Sequence, residues 1–418
     1  MVLDNYAHGR LGVIRSLGRL GVPVYSLQES RRTPAALSRH SREDLAWAIT
    51  NPPSPGALPE LLELGARIGD RPVLFATDDV AGLFVARHAD ALRAVFRFPD
   101  QPEGLAERLS DKFELHRLCE EHGIPTPRVL VPRGRDDVAR CVADLGLPVI
   151  IKSRDPVLMR ERPEAASVAR AEDLADVLDI YDRTEDPDQP NLMLQEYIPG
   201  TTDHNWMFNG YFDAQSECRA AFTGQKVRQF PRGTGATTLG VTRENGVVTE
   251  MTKTLMTSLG YRGLVDMNYR FDERDGQYKL LDVNARLGST FRLFVDEGGL
   301  DIVRVAYLDL TDQPIPDSAM CTDRRWLVEP FDVWAYRDYH RREGLRFSRW
   351  MRSVVRVDER ARFAWDDPLP FLAMAALFAT QPAYQRAVAS KRAGPLVRRA
   401  VRRIWARPST TKRADRAE

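Results

Sequence analysis

In the stretch 278-YKLLDVNARLG-288, Asp282, Asn284 and Arg286 fall at every second position just as an apolar run ends. Strand residues two apart share a face. A carboxylate, an amide and a guanidinium therefore point the same way. The stretch 264-LVDMNYRF-271 repeats the spacing with Asp266 and Asn268. Asp275-Gly276 between them marks a hairpin turn, which sets the two patterns side by side. Hard oxygen donors of this kind suit Mg²⁺, which commonly takes one or two carboxylates plus substrate phosphates.

Cations precede this hairpin. Lys112 lies in the first turn of a helix, Lys152 ends the apolar run 149-VIIK-152, and Lys226 and Arg228 are two apart in 219-RAAFTGQKVRQF-230. Of 60 basic residues only seven are Lys. A compact ammonium on a flexible stem differs from a planar guanidinium, so each retained Lys marks a position where a point charge is useful. Singly, these features are ordinary. A strand-terminal Lys is usually a solvated charge, Asp-x-Asn an edge decoration, Lys-x-Arg an exposed face. The glycines of 232-RGTGATTLG-240 serve plain turns as well as ligands. Together they form a clamp for a triphosphate and its metal.

Several elements must position these residues. Leu11, Ile14, Leu17 and Leu20 recur at helical spacing over 10–21, and 22-VPVYSL-27 and 72-PVLFA-76 read as strands, the latter followed by a helix over 80–95. This alternation predicts an open parallel α/β sheet up to about residue 105. Only Val2 and Leu3 precede the first loop, so the chain is expected to begin late relative to its relatives. Asp111 and Glu114 form a capping-box-like pair opening a helix that stops at Gly123. Strands follow at 147–153, 192–200 and 219–230, with helices at 172–181 and 247–259 and the hairpin at 263–285. The last hundred residues, with five of the chain's seven Trp, read mostly as helices.

Composition narrows the function. A net charge of +1 over 418 residues disfavours a nucleic-acid partner. The four Cys show no CxxC spacing, which excludes a zinc site of that kind and suits a reducing, cytoplasmic setting. The N-terminus lacks the basic start and apolar stretch of a signal peptide. The apolar run 371-FLAMAALFA-379 is too short to span a bilayer. The basic segment 396-LVRRAVRRIW-405 reads as a docked terminal helix, with contact to a membrane surface as the minor alternative.

Five motifs in order (SDKFELHRLCEEHGIPTP, VIIKS, LQEYIPG, QKVRQFP and LLDVNAR) resemble the ATP-grasp superfamily, nearest its carboxylate–amine ligase branch. The resemblance spans roughly residues 1–300. It implies an N-terminal parallel-sheet domain (1–105), then a two-subdomain α+β ATP-grasp fold (106–312, with a lid at about 125–200). A helical C-terminal extension (313–406) and a disordered tail (407–418) complete the expected layout. It also implies ATP and Mg²⁺, or Mn²⁺, as cofactors. By the same resemblance Lys112 and Lys152 contact phosphates, Glu196, Tyr197 and Ile198 read the adenine, and Asp203 holds the ribose. Lys226 and Arg228 lie near the γ-phosphate, Asp282 and Asn284 bind the metal, and Arg286 steadies an acyl phosphate. The chain departs from the family at two positions: Asp282 replaces the usual Glu, and Asn268 stands where an acid is expected, with Asp266 on the same face as a substitute.

The implied activity is ADP-forming ligation of a small carboxylate to an amine through an acyl phosphate. Alternatives on the same scaffold are acyl-CoA formation, a phosphotransfer using His204, or a non-catalytic nucleotide-binding module. Oligomeric state is left open, a homodimer being compatible.

Overall fold

The computed structural model describes residues 1–3, 8–28, 33–47, 49, 53–154, 168–186, 188–329 and 331–380. The tail at 407–418, the basic segment 396–405 and most of the polar loop after Lys152 lie outside the described residues.

Among the described residues there are three sheets. The first contains β1 (Val2–Leu3), β2 (Val24–Gln28), β3 (Ser41–Ala46) and β4 (Phe75–Ala76), all parallel, in the order β3-β2-β1-β4. Short as it is, β1 is buried in the middle, because Val2 and Leu3 bring apolar side chains to both faces. Helix His8–Gly18 packs Leu11, Ile14 and Leu17 inward, as the 3.6-residue spacing predicts.

The second sheet contains β5 (Val129–Leu130), β6 (Val149–Ser153), β7 (Val168–Ala171) and β8 (Leu192–Glu196), antiparallel in the order β5-β8-β6-β7. Val149, Ile151, Leu192 and Leu194 face helices Val138–Leu145 and Leu174–Thr184. The intervening Ile150 and Lys152 face the other way, into a cleft.

The third sheet has seven strands: β9 (Asn205–Phe212), β10 (Cys218–Phe230), β11 (Ala236–Thr242), β12 (Gly263–Asp272), β13 (Gln277–Asn284), β14 (Arg325–Leu327) and β15 (Glu359–Arg360). Their order is β13-β12-β9-β10-β11-β14-β15. One face packs Phe208, Phe212, Val265, Met267, Tyr269, Leu280 and Val283 under helices Leu105–Ser110, Lys112–Glu121 and Gly246–Ser258. Part of the opposite face is covered by helix Ile302–Leu310. The uncovered part faces the second sheet, and the cleft lies between them.

Three details depart from the sequence expectations. The glycine-rich loop is shorter than 232–240, because β11 already begins at Ala236. Strand β9, at 205-NWMFNGYF-212, is an additional element that pairs with both β10 and β12. The mostly helical C-terminal region also contributes two short strands, β14 and β15, to the large sheet.

Candidate active site

The cleft between the second and third sheets has a volume of about 330 Å³ and opens into a neighbouring space of about 530 Å³. Its apolar part is formed by Ile150, Tyr197, Ile198, Met207 and Leu281, and its polar part by Lys152, Lys226, Asp266, Asn268 and Asp282. A half-apolar cleft with a few convergent charges is the usual form of a small-molecule site.

The hairpin register builds the polar end. Asn268 pairs with Asp282 and Asp266 with Asn284, so one carboxylate and one amide face each other at each of two levels. A bulge after Asn268 leaves Leu281 as an extra residue. It keeps Leu280 in the core while Asp282 points into the cleft. Asp266 accepts hydrogen bonds from Asn209 Nδ2 (2.9 Å) and Asn284 Nδ2 (3.2 Å). Gly288 allows this close packing, since a Cβ there would lie 2.5 Å from the Asp266 Cγ.

Three of the seven Lys converge on this point. Lys112 Nζ pairs with the Asp282 carboxylate. Its helix is capped by Asp111, which accepts from the N–H groups of Phe113 (2.8 Å) and Glu114 (3.0 Å). Lys152 Nζ donates to the Leu281 carbonyl (3.3 Å). Burial pulls the Lys152 ammonium down to about 8; Asp282 opposes the shift, and Lys112 and Lys226 add to it. Lys226 is lowered as well, by burial against the attraction of Asp266 and Asp282. Burial raises Asp266, against the pull of Arg286 and Lys226. Three ammonium groups around two carboxylates leave an excess of positive charge, ready for a polyanion.

Among the described residues no cluster of three or more His, Cys, Asp or Glu could hold a metal. The donor set here mixes carboxylate and amide oxygens, and the Lys112 ammonium on Asp282 shows that this carboxylate accepts a cation. Asp282 with the facing Asn268 therefore fits a hard divalent ion. Asp266 and Asn284 are engaged with each other and with neighbours, since Asn284 Oδ1 accepts from Arg286 Nη2 (3.1 Å).

The other sequence-derived candidates separate. Glu196, Tyr197 and Ile198 line the cleft. Glu196 binds Arg274 (2.7 Å) and the Arg128 N–H (3.2 Å), while Arg170 lies 4.2 Å over the Tyr197 ring. Asp203 sits in a 3-10 turn, accepts from Thr201, and lines neither space. Arg286 turns toward the N-terminal sheet, donating to Asp79 (2.8 Å), and lines a separate cavity of about 80 Å³. His204 stays out of the cleft, held by Glu273 at 3.4 Å and by the Phe271 ring.

Arg228 is a correction. The two-residue spacing places it on the face of Lys226, but a bulge at Val227 breaks the alternation: Lys226 pairs with Gly240 and Arg228 with Leu239. Arg228 instead lies buried against Asp332 from helix Phe331–Glu343, at 2.8 and 2.7 Å. Gln229 takes a place in the cleft lining.

Arg270 is a residue the motif reading omits, although it continues the Asp266, Asn268 spacing. Its guanidinium donates to the Ile198 carbonyl, the Gly200 carbonyl and Asn205 Oδ1, each at 2.8 Å. It ties the segment leaving β8 to the large sheet.

No family model matches the chain. It is similar to the D-aspartate ligase of Enterococcus faecium (strain Aus0004), 24% identical over 279 residues, covering 63% of this chain and 65% of that one. The chain thus spans slightly less than two thirds of that relative. Among solved structures, the biotin carboxylase domain of Hydrogenobacter thermophilus 2-oxoglutarate carboxylase, in complex with MgADP, ADP and bicarbonate, matches with a TM-score of 0.59. Identity is 13%, and the match covers 78% of this chain and 72% of that one. N5-carboxyaminoimidazole ribonucleotide synthetase from Thermus thermophilus matches at 0.57 and 15% identity, covering 78% and 81%. L-amino acid ligase from Bacillus licheniformis matches at 0.54 and 14%, covering 74% and 73%. These structures establish a common fold. Each is under 25% identical to this chain, so the likeness is one of fold: a parallel N-terminal sheet followed by two further sheets with a cleft between them.

Proposed function

We propose that this protein is an ATP-dependent ligase that joins a carboxylate to an amine and releases ADP and phosphate. The observation that carries this reading is the convergence of Lys112, Lys152 and Lys226 around Asp282 in a chain with only seven Lys. Point charges in a part-buried cleft neutralise a polyphosphate, and phosphoryl transfer needs mainly positioning and charge neutralisation. A divalent ion held by Asp282 and Asn268 would offset phosphate charge. Tyr197, Ile198 and Met207 supply an apolar seat for a base, and Lys226 reaches the terminal phosphate. The substrate carboxylate attacks the γ-phosphorus, forming an acyl phosphate as the bond to ADP breaks. The amine then attacks the acyl carbon and phosphate leaves. Arg286, beside the metal-binding strand, is the candidate for steadying the acyl phosphate once it leaves Asp79.

Two of the relatives are named as amino-acid ligases, which makes amino acids the substrate class we propose. Amino acids offered in pairs with MgATP should release ADP and inorganic phosphate for the productive pair. Appearance of AMP and pyrophosphate would refute the acyl-phosphate route.

Lys152 adds a pH dependence with a defined sign. Its ammonium, lowered to about 8 by burial, is charged below that pH and attracts phosphate. Nucleotide affinity should therefore be highest below pH 8 and fall as pH rises through it. Lys152→Arg, which stays charged, should flatten this fall in calorimetric titrations on either side of pH 8. An equal fall in both proteins would remove Lys152 from the phosphate site.

A further inference from the structure

His8 opens the helix His8–Gly18 and lies against the segment that borders the polar end of the cleft. Ser289 and Thr290 of that segment line the cleft. The Ser289 carbonyl stands beside the His8 ring, and a Cβ on Gly9 would lie 3.4 Å from the Ser289 Cα. The His8 ring is 5.2 Å from that of Trp326, in β14. Arg362, just after β15, is near enough to oppose a charge on His8.

Polar atoms gathered here lack partners. His8 Nε2, Thr290 Oγ1, Trp326 Nε1 and Arg362 Nε are buried, and none makes a hydrogen bond. Trp326 is only 1% exposed. Leaving one such group unpaired is costly and uncommon; four around one imidazole point to a ligand that pairs them. Their chemistry says which. An indole N–H and a guanidinium N–H only donate, and a hydroxyl can donate. Burial, then the charge of Arg362, push the His8 imidazole down to about 3, so it is neutral and can donate from Nε2. Arg362 supplies the charge. Its backbone is fixed, since the Arg362 and Phe363 N–H groups donate to Glu329 (3.3 and 3.2 Å). Its guanidinium lies 5.4 Å over the Phe331 ring, and Nη1 donates to the Met374 sulfur, a weak acceptor. Among the described residues it forms no ion pair. Donors around an unpaired, part-buried guanidinium fit a carboxylate.

We infer that His8, Thr290, Trp326 and Arg362 bind a carboxylate of the acid substrate, distinct from the one that receives phosphate. The acid substrate is then a dicarboxylate, held here by one end with the other in the cleft. The ligand's identity rests on the ligase reading, while the site itself is tested without turnover. Indole N–H signals of the isotope-labelled full chain report on it, with Trp326→Phe identifying that of Trp326. Succinate and both enantiomers of aspartate and glutamate should move this signal; alanine and propionate should not. Arg362→Met should weaken diacid binding about tenfold or more. It should not lower the urea midpoint, because it removes a charge that has no counter-charge. Trp326→Phe, which keeps a buried ring, should weaken diacid binding in calorimetry as well. A signal that diacids leave in place, or that alanine moves equally, would overturn the inference. So would wild-type diacid affinity in Arg362→Met, or a response to inorganic phosphate alone. Diacid binding of the expected pattern without ADP release from MgATP and amines would support the site and count against the ligase reading. ADP release with monoacids and no diacid response would do the reverse.

Discussion

Asp282→Ala is expected to slow turnover by about 10²–10³ while sparing nucleotide binding in the absence of metal, the pattern of an interaction used mainly in the transition state. Asp282 is the carboxylate on which Lys112 rests and toward which Lys152 and Lys226 are drawn. Its loss leaves three ammonium groups with only Asp266 to offset them. Attraction for a bare polyphosphate then holds or grows, whereas a divalent ion bound as we propose would lose its carboxylate ligand. Initial rates across a Mg²⁺ titration, paired with nucleotide titrations in EDTA, separate the two effects. A wild-type rate at every Mg²⁺ concentration, or loss of nucleotide binding in EDTA, would contradict the assignment.

The second large effect lies outside the cleft. Arg228→Ala is expected to destabilise the fold by about 3–5 kcal/mol, the usual consequence of removing one partner of a buried ion pair. Arg228 and Asp332 are only 4% and 2% exposed. Asp332 also accepts from Thr238 Oγ1 (2.9 Å) and Trp350 Nε1 (2.8 Å), and Arg228 Nη1 donates to Ser353 (2.9 Å). Without the guanidinium, a buried carboxylate keeps two neutral donors and no counter-charge. Urea unfolding measures the loss, and a double-mutant cycle with Asp332→Ala isolates the pair. The same variant should bind nucleotide normally at temperatures where it is folded. A variant of wild-type stability with weakened nucleotide binding would return Arg228 to the phosphates.

What was legible in the sequence follows from the range of the forces involved. Asp266, Asn268 and Asp282 were readable because strand alternation is local, and the Asp275-Gly276 turn sets the pairing of the two strands. The Asp111 cap was readable for the same reason: its partners lie two and three residues away. Arg228 was misread because a bulge is a property of two strands together, and Val227 carries no mark of being the extra residue. Strand β9 was missed because 205-NWMFNGYF-212 mixes amides, aromatics and glycine. Its alternation becomes plain only when Asn209 meets Asp266 and Phe208 meets the helical layer. The outward turn of Arg286 depends on Asp79, which is 207 residues away in the chain.

The three bonds made by Arg270 have a mechanical consequence. They hold Ile198, Gly200 and Asn205 to the large sheet at one end of the small sheet, and the other end is tied too, by Lys152 to the Leu281 carbonyl (3.3 Å) and by the Lys112 N–H to the Arg154 carbonyl (2.9 Å). Glu196 sits opposite Val149 near the Arg270 tie, whereas Lys152 sits opposite Met193 near the second. That is three residues, or roughly 10 Å, farther along the strand. The small sheet is thus clamped to the large one at both ends of this span, so the two walls of the cleft are braced against tilting about either tie alone.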